Sequence, residues 1–173
     1  MKDKESYDKS LNELIYSIDL CFKNQFLLPG LTLLYSLIDI MAWLSRPSEQ
    51  DDVTRSDFIN WVNKYLLSVN NFNCTAQDLY GARCALIHSG TAESKLSRDG
   101  GARSIYYTIG NKDAQRLQND VDSVGCNAVV IQVDVLFKTL INSIENFKND
   151  IQNNLQLADI VNERSNKLFT YLS

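Results

Sequence analysis

The sequence predicts a mainly α-helical protein, a helical bundle that carries a small two-stranded β insertion. Apolar residues recur at helical spacing along most of the chain, which is the pattern of amphipathic helices. Only two short segments, 104–109 and 128–133, are rich in β-branched and aromatic residues, as strands are. The length of 173 residues suits one domain over residues 1–173, with a core large enough to fold without disulfides or metals.

The first two helices are predicted on either side of Pro29-Gly30, which marks a break between them. Helical spacing of Leu11, Ile18 and their apolar neighbours predicts the first helix over about 7–25. The second, about 30–45, is apolar nearly all round, and Asp39 is its only charge. A helix of this composition is expected at the centre of the fold.

The third and fourth helices are predicted from their capping residues. Ser56 or Thr54 is a candidate N-cap for the third helix, and Thr75 is a candidate N-cap for the fourth. Ser89-Gly90 is expected to close the fourth helix, because glycine readily adopts the left-handed conformation found after a helix.

The segment after the fourth helix is predicted to be an insertion of loop and β-hairpin at about 90–133. Residues 91–102 are polar and include Gly100-Gly101, which indicates a mobile loop. The two strand segments then follow and are expected to pair. A last helical section over about 134–172 resumes the apolar periodicity, and Asn153-Asn154 is expected to bend or divide it.

Composition excludes several classes of function. There are 17 basic and 21 acidic residues, a net charge of −4, and no basic block marks a nucleic-acid surface, so any RNA contact must be local. The four cysteines show no CxxC spacing and the chain has one histidine, so we expect no metal site and no cofactor.

The same features predict where the protein resides. The cysteines are typical of a reduced, cytoplasmic protein, and the first residues do not have the pattern of a signal peptide. The longest apolar run, 26–44, is broken by Pro29-Gly30 and contains Asp39, which favours a core helix over a membrane span. We therefore expect a soluble protein without a membrane partner.

The fourth helix holds the most informative residues, Arg83 and His88. Between Leu79 and His88 almost every other residue is apolar or small, so both side chains are either tightly paired or used for chemistry. Five residues turn a helix by about 140° beyond one full turn and rise by about 7.5 Å. The two residues therefore do not share a narrow stripe, although a long arginine reaches toward neighbouring sites.

The segment DLYGARCALIHSG, from Asp78 to Gly90, resembles the HEPN superfamily, helical bundles marked by an arginine, four to six residues and a histidine near a helix end. The resemblance implies a homodimer in which these helices face each other and two arginines and two histidines line one cleft. Catalytic members are metal-independent ribonucleases, often in toxin–antitoxin and antiphage systems. His88 would then act on the 2′-hydroxyl or the leaving group, and Arg83 would hold the scissile phosphate. Both residue types suit those roles.

Alternative interpretations of the same residues stay open. Lys95, Arg98 and Arg103 are candidate substrate-binding residues, or simply charges on a solvated loop. Arg83 and Asp39 are lone opposite charges on two buried helices, which favours a structural ion pair. His88 would then only cap its helix. The alternative function is a non-catalytic dimerisation or protein-interaction module with a cognate protein partner, favoured by Cys84, because ribonuclease members usually carry a polar residue there.

Overall fold

The computed structural model describes residues 2–70, 72–110 and 112–168, with side chains from residue 8 onward. The mainly helical class with a two-stranded insertion is confirmed. The helices of the described residues are α1 (Lys2–Lys23), α2 (Leu27–Ser45), α3 (Arg55–Trp61), α4 (Ala76–Ser89), α5 (Lys95–Arg98), α6 (Ala114–Ser123), α7 (Val133–Asn153) and α8 (Leu155–Ser165), and the strands are β1 (Ser104–Thr108) and β2 (Ala128–Gln132). Helix α3 continues as a π-helical turn, Val62–Leu66.

Helix α2 is the centre of the fold, and its neighbours explain why it is so apolar. It packs against α1, α3, α4 and α8. It begins at Leu27 and not at Gly30, because a proline in the first helical turn removes an N–H that has no helical partner in any case. A Cβ at Gly30 would lie 2.5 Å from Cε1 of Phe22, so this glycine permits the close approach of α1.

The apolar stretch of α2 also explains how a core helix resembles a membrane span. By length and composition alone α2 could cross a membrane, yet half of that stretch is buried inside the fold. Its C-terminal end is fixed by Arg164 of α8, which donates hydrogen bonds to the carbonyl oxygens of Trp43, Leu44, Arg46 and Pro47. These contacts are those of a helix at the centre of the bundle.

Capping residues fix the starts of α3 and α4 as the sequence predicts. The side chains of Thr54 and Thr75 each accept a hydrogen bond from the backbone N–H three residues later. The side chains of Asp57 and Asp78 in turn accept a hydrogen bond from the backbone N–H of the capping threonine. Gly90 follows α4 with φ 62°, the left-handed conformation that glycine adopts without strain. The position and direction of α4 are therefore set at both ends.

The predicted β-hairpin is wrong, because the two strands are parallel. Ser104 pairs with Ala128 and Thr108 with Gln132, and α6 forms the crossover between them. Parallel strands need such a connection, whereas a hairpin joins antiparallel strands. Gln118 of α6 covers one edge of β2, since its amide accepts from the Val130 N–H at 2.7 Å and donates to the Ala128 carbonyl at 3.3 Å.

One other predicted segment differs from the structure, and the predicted division of the last helical section is confirmed. Residues 91–102 were expected to form a mobile loop, but Ser94 caps the short helix α5, and Ser94 and Ala102 are buried. The last helical section divides at Asn154, which ends α7 and caps α8. The predicted residues 169–172 lie outside the described residues.

Candidate functional site

The candidate site is a surface cluster of three side chains, Asp39 of α2 with Arg83 and His88 of α4. The Arg83 guanidinium donates to Oδ2 of Asp39 from Nε at 2.8 Å and from Nη2 at 2.7 Å. Its Nη1 lies 3.3 Å from Nε2 of His88. The long arginine side chain therefore spans the offset between the two α4 positions, and one guanidinium contacts both an acid and an imidazole.

Each side chain has a different exposure to solvent. The Asp39 and Arg83 side chains are 23% and 22% exposed, and His88, one residue before the end of α4, is exposed. The pair is thus held partly within the protein, while the imidazole lies at the surface. A ligand approaching from solvent meets His88 and one edge of the Arg83 guanidinium.

The contact between Arg83 and His88 depends on the tautomer of the imidazole. A guanidinium only donates hydrogen bonds, so the contact is a hydrogen bond when Nε2 of His88 is the nitrogen that carries the lone pair. An anion that draws the Arg83 fork toward itself would release this lone pair to accept a proton. The arrangement therefore joins a phosphate-binding group and a proton acceptor in one contact.

Asp39 is partly buried, and burial disfavours the charged form that binds Arg83. Burial raises the pKa of the Asp39 carboxyl, and the hydrogen bonds and charge of Arg83 act in the opposite direction. Asp39 uses only Oδ2 toward Arg83, so the guanidinium is oriented and not fully enclosed. Asp39 is thus a positioning residue for Arg83.

The three predicted substrate-binding cations have different surroundings. Arg103 is committed to Asp78, with Nη2 at 2.8 Å and Nε at 3.1 Å from Oδ2, and it also donates to the Asn73 carbonyl oxygen. These contacts hold β1 against the start of α4 and engage Nε and Nη2 of Arg103, whose side chain stays 32% exposed.

Lys95 and Arg98 are exposed on α5. Helix α5 packs over Gly81, whose added Cβ would lie near Leu96 and Ser94. Gly81 and His88 are seven residues apart and lie on one side of α4. The structure therefore brings α5 to the same side of α4 as His88.

An apolar groove lies along another stripe of α4. Its volume is about 290 Å³, and residues from the start of α2, the second half of α4 and β1 line it, among them Leu31, Leu86 and Tyr107. Phe26 and Leu28, at the start of α2, are 60% and 51% exposed. Large apolar side chains exposed together are typical of an interaction surface.

Sequence reasoning missed three cations and one aromatic residue that the structure makes prominent. Arg46 and Arg164 are buried and donate mainly to backbone carbonyl oxygens around the end of α2, a role that no local pattern announces. Tyr80 lies one turn before Arg83 on α4, and the Arg55 guanidinium lies 5.3 Å from the Tyr80 ring centre. The spacing of Tyr80 and Arg83, one helical turn apart, was the available signal.

The residues that the structure describes contain no group of three or more His, Cys, Asp or Glu side chains arranged to hold a metal ion. Comparison of the chain with models of protein families, with curated proteins and with solved structures finds no match. The function must therefore be argued from the site.

Proposed function

We propose that this chain is a HEPN-like, metal-independent endoribonuclease that acts as a cytoplasmic homodimer in a toxin–antitoxin or antiphage defence system. The observation that carries the proposal is the 3.3 Å contact between Arg83 Nη1 and the exposed His88 Nε2. It supplies a group that binds a phosphate and a group that moves a proton at one accessible point.

The proposed reaction is transesterification of RNA. The 2′-hydroxyl oxygen attacks the adjacent phosphorus, the bond to the 5′ oxygen breaks, and the products are a 2′,3′-cyclic phosphate and a 5′-hydroxyl. Arg83 stabilises the negative charge that builds on the phosphoryl oxygens. His88 accepts the proton of the 2′-hydroxyl or donates one to the leaving oxygen.

The dimer follows from the number of proton-transfer groups that this reaction needs. An acid and a base act at opposite sides of the phosphorus, and the chain contains one histidine. Two copies packed across a two-fold axis would supply both. The exposed Phe26 and Leu28 and the groove beside α4 support an interface at this position.

The test compares RNA cleavage by the parent protein and by His88→Ala. The parent should leave 2′,3′-cyclic phosphate ends, and the variant should be about 10² to 10⁴ slower, as expected for loss of a positioned acid or base. Because His88 is exposed, the His88→Ala variant should melt at the parent temperature and dimerise as the parent does. EDTA should leave the parent rate unaltered, since no metal takes part in the proposed reaction.

The matched control is Ser123→Ala, which removes an exposed polar side chain from the end of α6. It should cleave RNA at the parent rate. Cleavage that is equal in His88→Ala and the parent would be contamination, and that result, or no cleavage of any RNA by the parent, would overturn the ribonuclease proposal.

A second candidate function is a non-catalytic dimerisation module, and the apolar groove favours it. In this alternative a second copy of the chain covers the groove and α4, and His88 performs no reaction. Sedimentation of a Leu28→Glu variant tests the shared interface, since a buried unpaired charge opposes association. In the module the parent is a dimer that cleaves nothing, whereas in the ribonuclease the monomeric variant also loses cleavage.

A further inference from the structure

Tyr80 lies on the same face of α4 as the candidate site, one turn before Arg83. Residues three or four apart on a helix are neighbours, so Tyr80 leads along the surface to Arg83 and Cys84. Its ring meets the buried ring of Phe58 edge to face, with ring centres 5.4 Å apart. Phe58 thus fixes the Tyr80 ring from the protein side.

Arg55 covers the Tyr80 ring from α3. Its guanidinium carbon lies 5.3 Å from the ring centre, which is cation–π distance. Arg55 is the first residue of α3, directly after the Thr54 cap, so its backbone position is fixed. The side chain of Arg55 is therefore held over Tyr80 by ring contact and by the start of its helix.

Arg55 keeps its hydrogen-bond donors available, unlike several other arginines. Arg83 and Arg103 are bound to aspartates, and Arg46 and Arg164 to backbone carbonyl oxygens. Across the described ranges, no carboxylate lies within 4.0 Å of the exposed Arg55 guanidinium, and its fork makes no hydrogen bond. Among the described residues, Arg55 is thus a cation without an acidic partner that lies over the Tyr80 ring.

The charges of Arg55 and Arg83 both reach Tyr80. Burial raises the pKa of the Tyr80 hydroxyl, with Cys84 acting in the same direction, while the charges of Arg83 and Arg55 oppose that shift. Tyr80 is therefore within the field of two cations, one from α4 and one from α3. Arg83 is paired with Asp39, so of these two guanidinium groups Arg55 is the one without an acidic partner among the described residues.

We infer that Arg55, held by Tyr80, binds the phosphate next to the scissile phosphate of a single-stranded RNA substrate. Proteins that hold single strands combine cations along the backbone with aromatic side chains, and a guanidinium fork matches the oxygens of a phosphate. This inference rests on the proposed ribonuclease function and adds a substrate-binding residue from a second helix. Arg83 would bind the scissile phosphate and Arg55 its neighbour.

The test is the kinetics of Arg55→Gln on a single-stranded RNA oligonucleotide. Losing one charged hydrogen-bonding contact should raise KM roughly tenfold, and the effect should appear in KM rather than in kcat because Arg55 does not contact the reacting atoms. RNA binding should also be measured in full-length His88→Ala protein, with and without Arg55→Gln. The slope of log affinity against log salt should be about 0.7 shallower in the double variant.

Two variants control this test. Arg116→Gln removes an exposed cation from α6, which packs against β2, and should leave KM and the salt slope at the parent values. Arg55→Lys keeps the charge and should retain the parent salt slope while recovering part of the affinity.

Unchanged KM and unchanged salt slope in Arg55→Gln, with cleavage still dependent on His88, would overturn the subsite and leave the ribonuclease standing. A large fall in melting temperature with unchanged KM of the folded protein would assign Arg55 a structural role and also overturn it. A parent protein that neither cleaves nor binds RNA would remove both proposals.

Discussion

Two arginine–aspartate pairs tie α4 to its neighbours, and they differ in how completely the acid is bound. Asp78, 3% exposed, accepts from the backbone N–H of Thr75 and Arg103 and from two nitrogens of the Arg103 guanidinium. Asp39 accepts from one guanidinium through one oxygen. Asp78 therefore accepts on both carboxylate oxygens, whereas Asp39 accepts only on Oδ2.

The pKa values of the two aspartates are shifted in opposite directions. Burial acts to raise the pKa of Asp78, but its hydrogen bonds from Thr75 and Arg103 outweigh burial, and the pKa is lowered. Burial of Asp39 prevails over its contacts with Arg83, and the pKa is raised. A fully bonded ion pair stabilises the fold, whereas an incompletely bonded pair next to an exposed histidine is suited to binding an anion.

The largest expected effect is that of Asp78→Ala on stability. The substitution removes the acceptor of two backbone N–H groups and of Arg103, which keeps only the Asn73 carbonyl, and losing a helix cap together with charged hydrogen bonds costs about 2 to 4 kcal/mol. Urea unfolding should show this loss. Asp99→Ala, which removes an exposed acid after α5, should stay within about 0.5 kcal/mol of the parent. An Asp78→Ala protein as stable as the parent would contradict the structural role of this pair.

A smaller effect is expected in the pH dependence of melting. Asp78 has a lowered pKa, so its stabilisation is present above its ordinary value of 3.8 and is lost as the pH falls through the folded-state pKa. Asp39 has a raised pKa, so its contribution grows as the pH falls through the folded-state value toward 3.8.

Melting curves of the parent, Asp78→Asn and Asp39→Asn over acidic pH check these signs. On acidification, the melting temperature of the parent should fall relative to that of Asp78→Asn. It should rise relative to that of Asp39→Asn. Parallel behaviour of the two variants would mean that the acids are not in different states.

The sequence was sufficient where local chemistry decides structure. Thr54, Thr75 and Gly90 lie at helix ends because a hydroxyl accepts an orphan N–H and glycine adopts a positive φ. Asp39 and Arg83 were paired in the sequence because each is a lone charge on an apolar helix, and the structure contains that ion pair. The direct contact of Arg83 with His88 was not expected, because helical periodicity describes Cα positions and not the reach of an arginine.

Other features depend on contacts between distant segments. Strand composition does not distinguish parallel from antiparallel pairing, and α6 was too polar to stand out as a crossover helix. Asp78 is also the third residue of α4 and completes a capping box, so nothing in its surroundings indicated a partner 25 residues later in Arg103. Arg164 binds carbonyl oxygens of α2, which carry no sequence signal at all.

The most direct test of the central claim replaces the arginine of each pair with glutamine in separate variants and measures both RNA cleavage and stability. Arg83→Gln should remain folded and lose cleavage by about 10² or more, because a donor to the developing phosphoryl charge is removed. Arg103→Gln should lose stability by several kcal/mol, because it leaves Asp78 buried without its cation, while the fraction that remains folded cleaves at the parent rate. Retained cleavage in Arg83→Gln, or loss of cleavage in folded Arg103→Gln, would contradict the claim that the Asp78–Arg103 pair is structural and the Asp39–Arg83 pair serves catalysis.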